Sequence, residues 1–476
     1  MSPKKILQFA IGPVGGALLG FVSLPIIAWV FSQEDVGKMA LLNVVLSFGS
    51  LFFTLGLDQA YVREFHESKN KPLLLKTAAL PGLILLLIVV TIFLAFGSWL
   101  SDLIFSLESV TISWLLGLAL VASFLSRFLS LVLRMNEHGL AFSMSQLLPK
   151  FFLLIIILAY LLFDVVKDFE NLLLANTFGV VFACLLFAWN TRREWQLSLN
   201  QKIDFEQLRQ MLHFGLPLIA GGVAFWGLTS LDRILLSRWS SYSELAVYSI
   251  SVSFAAAATI FQSVFSTVWA PTVYKWASKD EGLDKVVMVS RYVLLLVILL
   301  FCVAGLLSWV VRYLLPAEYA QVQWILVACL TYPLFYTLSE TTVVGIGIGR
   351  KSSYAMLACL LSLLVNFAFS YILIPRYGAA GAASSTALTF WIFLVLRTEF
   401  AIRAWKVLPR AEIYIFTLLS VVGAISSALL QEELGIFIFC YWLALLFSCC
   451  WFFRYECLQS VLFISKKAFS LNAGNR

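Results

Sequence analysis

The chain has 476 residues, of which 61% are hydrophobic and 12% charged, with a formal net charge of +7; its mean hydropathy is +0.93. Soluble domains carry roughly 45–50% apolar residues, so this excess excludes a soluble globular protein and points to an integral membrane protein. The basic residues are scattered through short loops, with no basic block and interleaved aromatics, which excludes a nucleic-acid-binding face.

The apolar stretches run for about 18–27 residues, a length that suits spanning helices and not barrel strands. The N-terminus, MSPKK followed by an apolar run to Phe31, has the charge of a signal peptide. Its apolar part is too long for one and lacks a small-residue cleavage site, so it is expected to remain as the first span. Hydropathy predicts spans at 6–31, 39–62, 76–98, 110–133, 139–163, 171–191, 212–237, 245–270, 287–311, 322–348, 353–374, 378–402, 412–430 and 434–453. The expected fold is therefore an all-α membrane protein of about 14 transmembrane helices. The last two spans are short, and a re-entrant tail is the alternative there.

Loop charge orients the scheme. With the N-terminus inside, 25 of the 33 Lys and Arg residues fall on inner segments, from Lys4 through Arg134, Arg192, Arg209, Arg350 and Arg397 to Arg476. Only Lys38, Lys167, Arg238, Arg312 and Arg376 fall on outer ones. That asymmetry is the positive-inside bias, and it predicts that both termini are cytoplasmic.

The longest loop, Arg192–Met211, is the expected joint between two lobes, 1–200 and 201–405, with 406–476 carrying the last two spans and a cytoplasmic tail. An internal repeat supports this division. Phe9-Ala-Ile-Gly-Pro13 opens span one and Phe214-Gly-Leu-Pro217 opens span seven. Each leads to a short outer turn, Ser32-Gln-Glu-Asp35 and Ser241-Tyr-Ser-Glu244. Two pseudo-symmetric six-helix lobes plus two C-terminal helices follow. Pro13, Pro25 and Pro217 are candidate kinks.

Polar residues recur at helical spacing inside the spans. Span two has Asn43, Ser47, Ser50, Thr54 and Asp58. Span four has Ser123, Arg127, Ser130 and Arg134, and span five has Ser143, Gln146 and Lys150. Span seven has Thr229, Arg233 and Ser237 beside Asp232, and span ten has Tyr332, Tyr336 and Glu340. Any one stripe fits interhelical hydrogen bonding or an ion pair tying two helices together. Stripes in both lobes, most of them charged, favour a shared hydrated cavity. Lys150 lies eleven residues inside span five, about 16 Å deep and too far to snorkel easily. Arg127 sits nearer the inner end and Arg233 nearer the outer. Cations at three depths suit an anion handed across the membrane.

Other features carry less. Gly12, Gly16 and Gly20 form a double G-x-x-x-G on span one, expected to be a close helix contact. The eight cysteines and three histidines show no metal-ligand spacing, so no metal site is expected. Gly345-Ile-Gly-Ile-Gly-Arg350-Lys-Ser352 lacks the Gly-Lys-Ser/Thr order and the preceding strand of a phosphate loop. No cofactor is expected, and energy would come from a proton or sodium gradient.

Gly56-Leu-Asp58-Gln-Ala-Tyr-Val-Arg63, Phe214-Gly-Leu-Pro217 with Asp232-Arg233, and Asn366-Phe-Ala-Phe-Ser-Tyr-Ile-Leu-Ile-Pro375-Arg-Tyr-Gly378-Ala-Ala-Gly381-Ala-Ala resemble polysaccharide-biosynthesis flippases of the Wzx type. These belong to the multidrug/oligosaccharidyl-lipid/polysaccharide exporter superfamily. The resemblance covers about residues 1–405, and spans thirteen and fourteen fit the longer members. It implies export of undecaprenyl-pyrophosphate-linked sugar, such as an O-antigen unit, from the inner to the outer leaflet of a bacterial inner membrane. It also implies membrane lipid, a polysaccharide polymerase and chain-length proteins as partners. By resemblance to the family's charged cavity, Lys150, Arg127 and Arg233 are candidates for the pyrophosphate and acidic sugars. Asp58, Glu340 and Asp232 are candidates for ion coupling. Within transport the alternative is an ion-coupled exporter of drugs or other lipid-linked precursors, because substrate does not follow from fold. A membrane glycan polymerase or ligase would want a long outer loop with catalytic groups, which these short loops do not supply.

Reporter fusions after Arg209 and at Arg476 are both expected to report the cytoplasm. A periplasmic signal at Arg476 would make the span count odd and disprove the assignment of 412–453.

Overall fold

The computed structural model describes residues 3–277 and 283–459. Lys279, Lys466, Lys467 and Arg476 lie outside them, as do the side chains of Lys4, Lys5 and Pro13. The described residues are helical with no strand. They form two compact units, Met1–Ile260 and Phe261–Arg476. This division by packing falls within the eighth span, whereas the repeat divides the sequence at Arg192–Met211.

The first unit comprises α1 (Pro3–Val30), α2 (Gln33–Phe52), α3 (Leu57–Glu64), α4 (Lys71–Ala95), α5 (Trp99–Phe105), α6 (Val110–Met135), α7 (Gly139–Leu162), α8 (Phe169–Asn190), α9 (Arg192–Leu199), α10 (Phe205–Trp239) and α11 (Tyr242–Ala255). Several of these helices begin where a short polar side chain takes one of the first free N–H groups. Ser32 accepts from Asp35 N, Asp168 from Asn171 N, and Ser241 from Glu244 N. The two outer turns of the repeat are therefore the same device, a serine cap with an acid three residues on, starting α2 and α11.

Three expectations about single spans need correction. Span two is not one continuous helix. The chain breaks after Phe52, passes through Leu55 and Gly56 with φ of 53° and 68°, and restarts as α3, so Asp58 does not continue the stripe of Asn43 and Ser47. Span eight breaks at Ala256 and bends by 48° into α12 (Ala258–Ala277). The loop after span six also carries helix α9. Lys76 Nζ donates to the carbonyls of Leu199 and Gln201, both at 2.7 Å, where a cation meets the negative end of that helix.

Within this unit, helices from the two halves of the repeat meet backbone to backbone at two places. A Cβ on Gly37 would lie 1.9 Å from the carbonyl oxygen of Tyr242. A Cβ on Gly56 would lie 2.2 Å from the carbonyl oxygen of Gly215. Arg63 stacks its guanidinium 4.4 Å from the Phe214 ring centroid beside the second contact. Close approach of this kind is how helices gain packing in a solvent as apolar as their side chains.

The second unit holds most of α12, then α13 (Leu283–Leu307), α14 (Val322–Cys329), α15 (Thr331–Ile348), α16 (Ser352–Ala404), α17 (Ala411–Leu430) and α18 (Gly435–Phe452). Span ten is α14 and α15 with a break at Leu330. At 53 residues α16 would measure about 80 Å if straight, more than twice a bilayer core. It turns at Gly378, which has φ 52° and ψ −125°, a conformation that glycine adopts without the Cβ penalty. The two arms run antiparallel. Ser370 and Ser385 hydroxyls lie 2.8 Å apart, and a Cβ on Gly381 would meet the Leu373 carbonyl oxygen at 2.2 Å.

The last two helices have 20 and 18 residues, each enough to cross the core at about 1.5 Å per residue. Trp442, fully buried, donates to Ser427 Oγ at 3.2 Å and lies against Gly305 and Gly423. They form a packed antiparallel pair, and each is long and apolar enough to be a candidate span. Among the described residues eleven helices are long and apolar enough to cross a membrane, or twelve with the bent pair counted as one span. Counting the arms of α16 separately and adding α1 restores the expected fourteen. Large apolar side chains such as Leu162, Phe163 and Ile436 stay about four-fifths exposed, as lipid-facing residues do.

Gly37→Ala and Gly56→Ala are each expected to lower the thermal midpoint of the detergent-solubilised protein. Overpacking a close contact costs about 1–3 kcal/mol, and Gly56 adds left-handed backbone strain. Unchanged midpoints in both variants would disprove these backbone contacts.

Candidate functional site

Lys150 sits in the middle of α7, facing α1. The small residues of α1 let the two helices touch: a Cβ on Gly12 would lie 2.9 Å from Ser143 Cα, and one on Gly20 3.0 Å from Lys150 Nζ. The double G-x-x-x-G is thus the helix contact expected from its spacing. Across it Lys150 Nζ donates to the Gly16 carbonyl at 2.7 Å. No carboxylate pairs with this ammonium among the described residues.

Lys150 opens onto a chamber of about 440 Å³ whose polar lining includes Ser23, Asn43, Gln146, Asn176 and Ser253. A second chamber of about 260 Å³ shares Asn43 and Ser253 and adds Ser47, Ser230, Arg233 and Ser249. The two are adjoining parts of one cavity among α1, α2, α7, α8, α10 and α11. Among the described residues its charged lining residues are Lys150 and Arg233, with no Asp or Glu. Arg233 is held by its own helix, donating to the Thr229 carbonyl at 3.1 Å, and its guanidinium lies 5.9 Å from the Tyr248 ring centroid. Asp232, 3% exposed, accepts from Tyr248 Oη at 3.2 Å and is not in the lining.

The other candidates sit elsewhere. Asp58 occupies the first turn of α3, where the helix dipole favours an anion, and Arg127 Nη2 reaches it at 2.8 Å. This carboxylate side chain is 8% exposed and the guanidinium 46%. Arg127 lines neither chamber. In the second unit Glu340 accepts from Arg397 Nη2 at 2.7 Å, and Arg397 Nη1 donates to Ser339 Oγ at 2.6 Å. That guanidinium also stacks between Tyr336 and Phe393, 4.9 and 5.1 Å from their centroids. Arg397, assigned to an inner loop by charge counting, is instead a buried helix residue and the partner of Glu340. Thr389, Phe393 and Arg397 fall at four-residue spacing, a stripe that could have revealed it.

Of the six candidates, then, the structure brings Lys150 and Arg233 to one cavity, places Arg127 with Asp58 and Glu340 with Arg397, and buries Asp232 beside Tyr248. Asn43, Asn176 and Ser249 are cavity residues that sequence reasoning did not single out as site residues. Asn43 lay on a recognised stripe; Asn176 and Ser249 had no charged neighbour at helical spacing to mark them. A positive, carboxylate-free chamber lined by hydroxyl and amide groups can hold an anion and hydrogen-bond a polar ligand.

Comparison with known proteins agrees with this architecture. The family described as polysaccharide biosynthesis protein matches residues 3–276. Capsular polysaccharide biosynthesis protein CapF of Staphylococcus aureus is 24% identical over 259 residues, which cover 50% of this chain and 63% of that protein. A probable low-salt glycan biosynthesis flippase of Haloferax volcanii, Agl15, is 20% identical over 239 residues, 49% of each chain. The matches thus span about half to under two thirds of these curated relatives. Among solved structures, the lipid II flippase MurJ in an inward closed conformation superposes with a TM-score of 0.69 over 95% of this chain and all of its own, at 14% identity. An inward-facing multidrug resistance MATE family transporter of the MOP superfamily gives 0.53 over 88% and 98%, also at 14%. At such identities the likeness is one of fold: this chain is a multi-pass, all-helical membrane protein that belongs to the polysaccharide biosynthesis protein family.

Proposed function

We propose that this protein is a flippase that moves an undecaprenyl-pyrophosphate-linked oligosaccharide from the inner to the outer leaflet of a bacterial inner membrane by alternating access. The observation that carries the reading is the cavity with Lys150 and Arg233 in its wall and no carboxylate. A lone charge inside a span costs at least about 2.5 kcal/mol on insertion scales. Two cations facing one polar space are therefore unexpected unless an anion visits it. A diphosphate meets that requirement, its glycan can bond to the Asn and Ser lining, and its lipid tail can remain in the bilayer. The same potential repels cationic drugs, which disfavours the multidrug alternative. O-antigen and related surface polysaccharide units are the substrates this reading favours, with a polymerase and chain-length proteins acting on the exported unit.

Lys150→Gln tests the charge without the contact, because the amide can still donate to the Gly16 carbonyl. Export, scored as surface glycan in a flippase-deficient strain, is expected to fall at least about tenfold at unchanged protein abundance; tenfold corresponds to ~1.4 kcal/mol. Lys150→Arg keeps the charge with different geometry and is expected to retain part of the activity. Normal surface glycan with Lys150→Gln would remove Lys150 from the path.

Coupling to a proton or sodium gradient would act through Asp58, Glu340 or Asp232. Asp58 and Glu340 each hold an arginine, so a cation taking either carboxylate would release that guanidinium and loosen two helices. Flux in proteoliposomes is expected to follow an imposed gradient in the wild type and to lose that dependence in Asp58→Asn or Glu340→Gln. Flux that ignores both gradients in wild type and variants alike would exclude coupling at either residue.

A further inference from the structure

The C-terminal end of α5 carries carbonyls that its own helix does not use, and two of them are taken by donors from distant parts of the first unit. Arg238, in the last turn of α10, donates from Nη2 to the Leu103 carbonyl. Tyr242, the first residue of α11, donates from Oη to the Ile104 carbonyl at 3.4 Å. α5 is itself built into the first half of the repeat. The Ser113 hydroxyl accepts from Ser101 N at 3.1 Å, and the buried Phe105 ring lies edge-on to Phe169, with centroids 4.8 Å apart. Arg238 and Tyr242 belong to the second half, so these bonds join the halves. Two more contacts gather at the same place. Gly37 of α2 lies against the Tyr242 backbone with no room for a Cβ. Lys38 is 7% exposed and pairs with Glu34 at 2.7 Å. Its ammonium lies 5.5 Å from the Tyr242 ring centroid and 5.7 Å from that of Phe169. The cluster adjoins the cavity, because Val36, next to Gly37, and Arg233, on the same helix as Arg238, both line the second chamber. In the orientation expected from loop charge, the turn between α10 and α11 is an outer one.

We propose that α5 is the catch of an outer latch: Arg238 and Tyr242 hold the cavity shut on that side by binding its end carbonyls, and release them when the cavity opens outward. This rests on the alternating-access reading above and adds to it a specific closure. Carbonyls suit the task. Arg127 and Arg397 are bound by carboxylates, whereas a neutral acceptor holds a guanidinium less strongly and can let go in each cycle. Arg238 is also exposed, so water replaces the Leu103 carbonyl once they part and opening leaves no polar group unsatisfied. The competing account is a permanent tie, in which α5 and the α10–α11 turn move together and Arg238 only stabilises the fold.

Cysteine accessibility in the full-length protein separates these accounts. The reporter is Asn43→Cys, because Asn43 is exposed and lines both chambers. A membrane-impermeant maleimide is applied to the outer face in spheroplasts and to the inner face in inverted vesicles, and labelling of the protein without the reporter is subtracted. Added to the reporter protein, Arg238→Gln is expected to raise the outer labelling rate roughly three- to tenfold, the worth of one net hydrogen bond, with no rise from the inner face. Tyr242→Phe removes the weaker bond but keeps the ring beside Lys38, and is expected to raise outer labelling about twofold. Arg238→Lys, whose ammonium can still donate to the Leu103 carbonyl, is expected to stay near the parent. A rise from both faces with a lowered melting midpoint, as a permanent tie predicts, overturns the inference. Outer labelling that is measurable in the parent and unchanged in both Arg238→Gln and Tyr242→Phe overturns this inference alone. No outer labelling of any of these proteins overturns the alternating-access reading together with it.

Discussion

A charge inside the membrane must find a partner within the protein or face a wet cavity, and the arrangement of this molecule follows from how each is accommodated. Asp58 takes Arg127, and Glu340 takes Arg397 together with Ser339. In these pairs the charges cancel and tie one helix to another, a role that breaking either partner would expose. Lys150 and Arg233 are held differently, each by a backbone carbonyl. A carbonyl orients a cation without neutralising it, so the positive potential of both side chains persists in the cavity they line.

Small residues make that arrangement possible. Lys150 reaches Gly16 only because α1 presents glycine where α7 crosses it. Within the first unit, Gly37 against Tyr242 brings α2 to α11, and Gly56 against Gly215 brings the start of α3 to α10, each in backbone contact. The polar chambers lie among the helices joined by these contacts, lined by serine and asparagine rather than by interlocking apolar side chains. Packing at the glycines and open polar space at mid-depth are thus parts of one design. Close contacts supply the stability that a polar chamber cannot contribute.

The division of labour among the arginines also explains why charge counting misplaced one of them. Loop bias is an argument about which residues stay in water, and Arg397 is near enough to a helix end to be read as such a residue. Its guanidinium instead lies between two aromatic rings and bonds Glu340. Stacking on two rings with separate bonds from its two terminal nitrogens to Glu340 and Ser339 suits a planar guanidinium better than an ammonium.

Properties of one helix at a time were legible in the sequence. The membrane class, most of the span positions, the mid-helix place of Lys150 and the glycine face of α1 follow from hydropathy, length and helical period, which need no knowledge of neighbours. The serine-capped turns of the repeat were legible for the same reason, since a cap is satisfied within four residues. Tertiary structure alone decided which helices adjoin and how each is rotated. That is why the break at Leu55 and Gly56 moved Asp58 off its stripe, and why Arg127 left the cavity group. It is also why Asn176 and Ser249 entered it, each on a helix whose own pattern gives no sign of the space it faces. A pairing across helices depends on two rotations and one choice of neighbour, and no single span encodes those.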